Sequence, residues 1–333
     1  MKRQPPLKIT VISALNLSDI HQDIALLKKH FEVSAHLGGG WAAIPRIIKL
    51  VAKNDVALGW FASTYTFAMV LAAQLFGKRT LIQLGGVDTA ADRELNYGIW
   101  LSRWKSPLVR FALRHADRVF AIHENAIHIL RKNSGLNIET IKRLPTGYDA
   151  DFWQPAFPKQ PIVLTVAKCD TRQRMLIKGI DVLVETARRL PGVEFRVVGI
   201  NPAEVPALLG EVPENMQFVS PVPRGDLLAY YQQAKVYCQP SRHEGGFPNT
   251  LCEAMLCGCI PVGTRVGGMP AAINHFGFLV ETEDVTGLSN AIMQALALPE
   301  QQGLKGREHI ARKFPLQRRE EQLVAAIKEF AGE

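Results

Sequence analysis

Residues 236–270, VYCQPSRHEGGFPNTLCEAMLCGCIPVGTRVGGMP, constrain the fold of this chain more than any other stretch. An apolar run, Val236-Tyr237-Cys238, stops at Pro240-Ser241 and is followed by a polar, glycine-rich loop over 242–248, so a short buried strand feeds a loop. Asn249 and Thr250 are residues favoured at helix N-caps. Leu251, Ala254, Met255 and Leu256 follow at helical spacing until Gly258 stops the pattern. A helix is therefore expected from about Thr250, with Glu253 in its first turn. Its unpaired N–H groups and the positive end of its dipole face the loop, which favours an anion and best of all a phosphate. Glu244 and Glu253 flank that place, and carboxylates accept well from sugar hydroxyls. Loop amides for a pyrophosphate beside carboxylates for ribose or hexose hydroxyls describe a nucleotide-sugar pocket.

The rest of the chain repeats this strand-to-helix rhythm. In the first half, strands are expected over 8–14, 33–37, 56–60, 80–84, 118–122 and 140–144, with helices from Ser18 to Phe31 and from Tyr65 to Phe76. A second alternation follows: strands over 162–167, 194–199 and 217–219, helices over 179–190 and 225–234, then the stretch above. A final helical segment covers 316–330. Alternation of this kind means doubly wound parallel sheets, and 333 residues exceed one core, so two domains are expected. The proline-rich 155–161 reads as the linker. The expected division is 1–155, 156–315 and the closing segment 316–333.

Charge is uneven. Residues 1–150 hold 20 Lys and Arg against 11 Asp and Glu, a net of +9, and the remainder holds 19 against 20. Lys28-Lys29, 103–105 and 110–118, near Trp100 and Trp104, suit either an ordinary solvated face or contact with an anionic membrane or acceptor. No recognition motif accompanies the charge, so a nucleic-acid partner is not expected. The apolar run 7–17 is interrupted by Lys8, Ser13 and Asn16 and reads as a strand, not a signal peptide. The run 67–76 is too short to span a bilayer. The five cysteines, Cys169, Cys238, Cys252, Cys257 and Cys259, are odd in number and lack zinc-knuckle spacing. Buried thiols in a cytoplasmic protein, at most at the inner face of the cell membrane, are expected.

The paired glutamates, Pro248-Asn249 between them and the Pro261-Val262 strand after the helix resemble the signature of retaining glycosyltransferase family 4. In that signature seven residues separate the glutamates; here 245–252 make eight. Aligned from the helix backwards, Gly245 takes the first glutamate's place. Either a glycine bulge at Gly245-Gly246 returns Glu244 to it or the role is lost. A second match is Lys168 at a strand end with Lys178-Gly179 before a helix: two fixed cations that would offset a diphosphate leaving group. The connecting stretch 169–177 reads as a long loop adding Arg172 and Arg174. Pro145-x-Gly147-x-Asp149 resembles the family's interdomain crossover, and Gly85-Gly86-Val87-Asp88 with Asn96-Tyr97-Gly98 resembles a segment of one branch. Asp88 could accept from a sugar or merely close a turn. His123 stands where many relatives carry serine and could assist a leaving phosphate or be structural. The glycine pair that relatives carry after the first strand is missing from 15–19.

The resemblance implies the GT-B fold: two doubly wound Rossmann-like domains facing a central cleft, with a C-terminal helix returning to the N-terminal one. It implies a metal-independent, retaining transfer of hexose from a UDP- or GDP-sugar to a glycan or lipid-linked acceptor. Catalytic roles fall on Lys168, Lys178 and Glu244. Donor contacts fall on Glu253 (for the ribose), Gly245, Gly246, Phe247, Pro248, Asn249, Thr250, Arg172 and Val222, and the acceptor side on Gly86, Asp88 and His123. No resident cofactor is expected. The rivals are a catalytically weakened nucleotide-sugar binder and a sugar-nucleotide epimerase.

Overall fold

The computed structural model describes residues 7–137 and 141–330. The first strands and helices are β1 (Lys8–Ser13), α1 (Ser18–Lys28), β2 (Glu32–Leu37), α2 (Ala43–Lys53), β3 (Val56–Trp60), α3 (Thr64–Phe76), β4 (Arg79–Gln83), α4 (Lys105–His115), β5 (Arg118–Ala121), α5 (Glu124–Ser134) and β6 (Ile141–Arg143). There follow β7 (Gln160–Val166), α6 (Arg172–Lys178), α7 (Ile180–Arg189), β8 (Glu194–Val198), α8 (Val205–Leu209), β9 (Met216–Val219), α9 (Leu227–Gln233) and β10 (Ala234–Gln239). The chain ends through α10 (Asn249–Leu256), β11 (Ile260–Thr264), α11 (Met269–Ile273), β12 (Phe278–Val280), α12 (Val285–Ala297), α13 (Gln301–Lys313) and α14 (Leu316–Lys328).

Two compact units result: residues up to Gly147 together with those from Gln317 onward, and Tyr148–Leu316. Each is built on one six-stranded sheet, in the orders β2-β1-β3-β4-β5-β6 and β12-β11-β10-β7-β8-β9, with every strand pair parallel. The strands are what such sheets require. VALGW of β3 and IPVGT of β11 are buried throughout, because helices cover both faces. In each sheet the strand order reverses once, between β1 and β3 and between β7 and β10, and a doubly wound sheet opens its ligand crevice at the carboxyl ends of such a pair.

Several helices lie outside the expected set. α2 opens with Pro45 in its first turn, just after three glycines, a composition that reads as loop. α6 is one helix over most of the expected 169–177 loop: Thr171 caps it by accepting from the Arg174 N–H, and the αL Gly179 ends it. The expected strand 140–144 is Ile141–Arg143, its first residue lying outside the described residues. The expected cap near Thr250 is instead Pro248, and the helix begins at Asn249, which puts Glu253 in the second turn.

Within the first unit, α14 is fixed by a buried ion pair. Arg319 donates to both carboxylate oxygens of Asp23, through Nε at 3.1 Å and Nη2 at 2.7 Å. Its Nη1 reaches the carbonyl oxygens of Leu144 (2.9 Å) and Pro145 (3.2 Å), and Trp60 Nε1 donates to Asp23 at 3.1 Å. All five cysteines are buried free thiols, and burial pushes the Cys169 thiol up to about 11. No helix among the described residues is long and apolar enough to cross a membrane.

Candidate active site

At the switch point of the second sheet, three segments are tied into one corner. Lys168 is exposed two residues beyond β7. α6 ends on Lys178, and Gly179 (φ +66°) turns the chain directly into α7. Only glycine fits there. The conformation is left-handed, and a Cβ would collide with the carbonyl of Pro240. The loop after β10 is clamped onto this corner: the Arg242 N–H donates to the Ile177 carbonyl at 2.8 Å, and its guanidinium grips Asp181 bidentately, both bonds 2.7 Å.

The clamp brings two expected catalytic residues together. Lys178 Nζ lies 2.6 Å from Glu244 Oε1, and the same oxygen accepts from Ser241 Oγ (2.7 Å) and Gln239 Nε2 (2.9 Å). The Glu244 side chain is 10% exposed, so it turns into this corner and not to solvent. No protein donor among the described residues reaches Oε2, which leaves that oxygen for another partner. Gln239 is a site residue that the sequence reading missed. It is buried at the end of β10, holds Glu244, and accepts from the Tyr237 hydroxyl at 2.9 Å. The signal was there: a glutamine closing an apolar strand at the switch point.

The N-terminus of α10 faces the same loop. Gly246 accepts from the Gly268 N–H at 2.9 Å, which fixes the loop from behind. Phe247 packs on Phe314 with ring centroids 4.4 Å apart. Asn249 Oδ1 accepts from the Tyr148 hydroxyl (2.9 Å), and the Thr250 hydroxyl donates to the Tyr237 oxygen (2.7 Å). Pro248, at the cap, makes no side-chain cap bond to the first-turn amides. Arg172 is exposed in the first turn of α6, and Val222 is half-buried in the loop after β9.

Expected to face the ribose, Glu253 is instead turned inward. Its Oε1 accepts from Arg224 Nε (2.8 Å) and Nη2 (2.6 Å), its Oε2 from the Tyr231 hydroxyl (3.2 Å), and the residue is 1% exposed. Burial, and after it the charge of Glu253, pushes the Tyr231 phenol well above its ordinary value, so it stays a donor. A carboxylate removed from water needs such partners, and here the protein supplies them. Glu253 thereby anchors the loop that carries Val222 and Arg224, whose guanidinium lies 5.8 Å over the Trp153 ring.

In the first unit, Asp88 closes a turn. It is wholly buried and accepts from the Ala62 N–H (2.8 Å) and the Gly85 N–H (3.0 Å), joining the loops after β3 and β4; of its two readings, the turn is the one seen. Gly86 lends its carbonyl to Thr89. His123 caps α5, its Nδ1 accepting from the Asn125 N–H at 3.1 Å, the structural reading. Burial raises the Asp88 carboxyl from 3.8 to about 6, against the lowering effect of its backbone donors. Between those values the folded chain holds a proton that the unfolded chain has released. Stability should therefore fall as pH rises through that window, by on the order of 3 kcal/mol, and level off above it. Denaturation midpoints of wild type and Asp88→Asn between pH 4 and 7 check this: the substitution should flatten the slope, and an unchanged slope refutes it.

Among the described residues, no group of three or more His, Cys, Asp or Glu could hold a metal ion. Residues 160–297 match the family model described as glycosyl transferases group 1. The chain is 25% identical over 295 residues to a GDP-mannose-dependent α-(1-6)-phosphatidylinositol monomannoside mannosyltransferase of Mycolicibacterium smegmatis, covering 78% of this chain and 72% of that one. It is 30% identical over 151 residues to a D-inositol 3-phosphate glycosyltransferase of Mycobacterium sp., covering 42% of this chain and 33% of that protein's length. In fold it is similar to sucrose-phosphate synthase of Thermosynechococcus elongatus (TM-score 0.80, 18% identity, 98% of this chain and 100% of that one). It is also similar to HepE of Anabaena, solved with UDP-glucose (TM-score 0.75, 14% identity, 97% and 100%). Fold and site together define the class, a GT-B glycosyltransferase. Within that class, residues 160–297 are the part that matches the glycosyl transferases group 1 family.

Proposed function

We propose that the chain transfers a hexose from a nucleoside-diphosphate sugar to an acceptor hydroxyl with retention of anomeric configuration. The observation that carries this is the Lys178–Glu244 contact of 2.6 Å at the switch point, beside the N-terminus of α10. Lys178 and the exposed Lys168 offset the charge that builds on the departing diphosphate, and the first amides of α10 receive a phosphate oxygen. Glu244, held through Oε1 by Lys178, Ser241 and Gln239, presents Oε2 to a hydroxyl of the donor sugar. The bond from the anomeric carbon to the diphosphate oxygen breaks through an oxocarbenium-like state, the acceptor oxygen bonds to that carbon on the face being vacated, and the acceptor's proton passes to the leaving phosphate.

Glu253 acts one step removed, holding Arg224 and the Val222 loop on the nucleotide side. Two lysines supply the positive charge for the leaving group, so turnover on this reading needs no divalent metal. The Mycolicibacterium smegmatis relative is named for GDP-mannose and a phosphatidylinositol mannoside, and HepE was solved with UDP-glucose. These names support a GDP- or UDP-hexose donor and a glycan or lipid-linked acceptor; the enzyme's proposed place is the cytoplasm, at a membrane's inner face.

The test is donor hydrolysis without acceptor. Purified protein is incubated with UDP-glucose or GDP-mannose, with and without chelator, and nucleoside diphosphate release and the anomer of the free sugar are followed. Chelator-insensitive release of the sugar with its anomeric configuration kept is expected. Inversion rules out the retaining mechanism, and no release from any nucleotide hexose rules out the transferase.

A further inference from the structure

The first unit carries an uncovered apolar face that the donor reaction does not use. Helix α3, TYTFAMVLAAQLF, has no charged residue. It packs Met69, Val70, Ala72 and Ala73 inward yet leaves Leu71 and Leu75 outward, Leu75 being 76% exposed. A helix apolar all round is ordinarily buried. Beside it, α2 and α4 complete a groove of about 580 Å³, lined by Trp41, Ile44, Ile48, Leu71, Leu75 and Leu108. Trp41 is 92% and Trp104 62% exposed at its rim. Scattered apolar residues on a surface need no explanation, but a continuous groove of them does.

The charges around it are of one sign. α2 contributes Arg46, Lys49 and Lys53, α4 contributes Lys105, Arg110 and Arg114, and neither helix contains Asp or Glu. Arg46, Lys49, Lys53 and Arg114 are exposed, and Lys105 Nζ lies 5.2 Å over the Trp104 ring. Of the basic segments that the sequence singled out, Lys29 is paired with Glu320 and Arg118 with Glu329, so the positive face belongs to α2 and α4.

We propose that this face docks on an anionic lipid bilayer. Trp41, Leu71 and Leu75 enter the acyl boundary, Trp104 lies at headgroup level, and the lysines and arginines meet lipid phosphates. Exposed tryptophans beside an apolar helix face with cations at its margin are what an interfacial surface needs. A second copy of the chain fits poorly, because cations would face cations across the contact. The inference extends the proposed function by giving the enzyme a place to work, but its test uses neither donor nor acceptor.

The full chain is sedimented with phosphatidylcholine vesicles with or without phosphatidylglycerol. Binding should require phosphatidylglycerol and weaken as salt rises, since exposed charges are screened beyond ~8 Å at physiological ionic strength. The double variant Leu71→Ser/Leu75→Ser should lower partitioning at least roughly tenfold, the scale of one apolar side chain left in water. Lys49→Glu/Lys53→Glu should lower it by about tenfold or more on anionic vesicles alone. Thermal midpoints and donor hydrolysis should not change, which separates this surface from the donor site. Unsubstituted protein that hydrolyses donor but does not bind anionic vesicles sinks only the surface; unsubstituted protein that binds them but does not hydrolyse donor sinks only the transferase reading. Binding indifferent to these substitutions, or an apolar variant that dissolves a dimer in light scattering instead, overturns the proposal.

Discussion

Lys178→Ala is expected to lower donor turnover by ~10²-fold or more, the scale on which removing one preorganised charge donor acts. Stability should change little. The Lys178 side chain is 31% exposed, and its loss leaves Glu244 Oε1 still accepting from Ser241 and Gln239, so no charge is stranded without donors. Glu244→Gln is the companion. It keeps the shape but weakens hydrogen bonds to a charged acceptor, worth ~1.5–3 kcal/mol each, so turnover should fall ten- to a hundredfold. Nucleoside diphosphate release at saturating donor, beside a denaturation midpoint for each variant, makes the measurement. Near-wild-type turnover in Lys178→Ala removes the leaving-group assignment. A silent Glu244→Gln beside a crippled Lys178→Ala would mean that the carboxylate only positions the lysine.

The strands were legible because a buried parallel strand writes itself as a short apolar run: 56–60 and Val56–Trp60 coincide. The Lys178–Glu244 corner was legible as two motifs, but no spacing announced the contact. It depends on Arg242 clamping one loop to another and on Gly179 fitting under Pro240. With the extra residue between the glutamates, the Glu244 carboxylate lies in this corner, since the loop is fixed at Gly246 by the Gly268 amide and at Glu244 by three donors. The partners of Glu253 were hidden for a related reason. A one-turn position says which end of a helix a side chain occupies, not that Arg224, 29 positions earlier, waits for it. The basic segments divide for the same reason: Lys29 finds Glu320 across 291 positions, a pairing that only the fold creates, whereas Lys105, Arg110 and Arg114 lie on α4.

The largest stability effect is expected inside the first unit, at Asp23. Asp23→Ala should cost about 3–5 kcal/mol, because it removes the counter-charge of a guanidinium that is itself 2% exposed and cannot rehydrate where it lies. Arg319 would keep its bonds to Leu144, Pro145 and Gln83, all neutral acceptors, and its place 5.8 Å over the Trp60 ring. Those contacts orient the group without offsetting its charge. A buried pair is itself weak evidence of net stabilisation, so the informative comparison is with Asp23→Leu/Arg319→Met, which removes both charges and keeps the volume. That double variant should lose less than Asp23→Ala alone, even though three carbonyl-type acceptors go unfilled. With two units in the chain, a single unfolding midpoint would blur the result, so hydrogen exchange is the better readout. Amides of α14 and of the α1–β3 region should exchange faster in Asp23→Ala, while those of 148–316 keep their wild-type rates. Unchanged protection of α14 would show that its apolar face, Leu323 and Ile327, holds it without the ion pair.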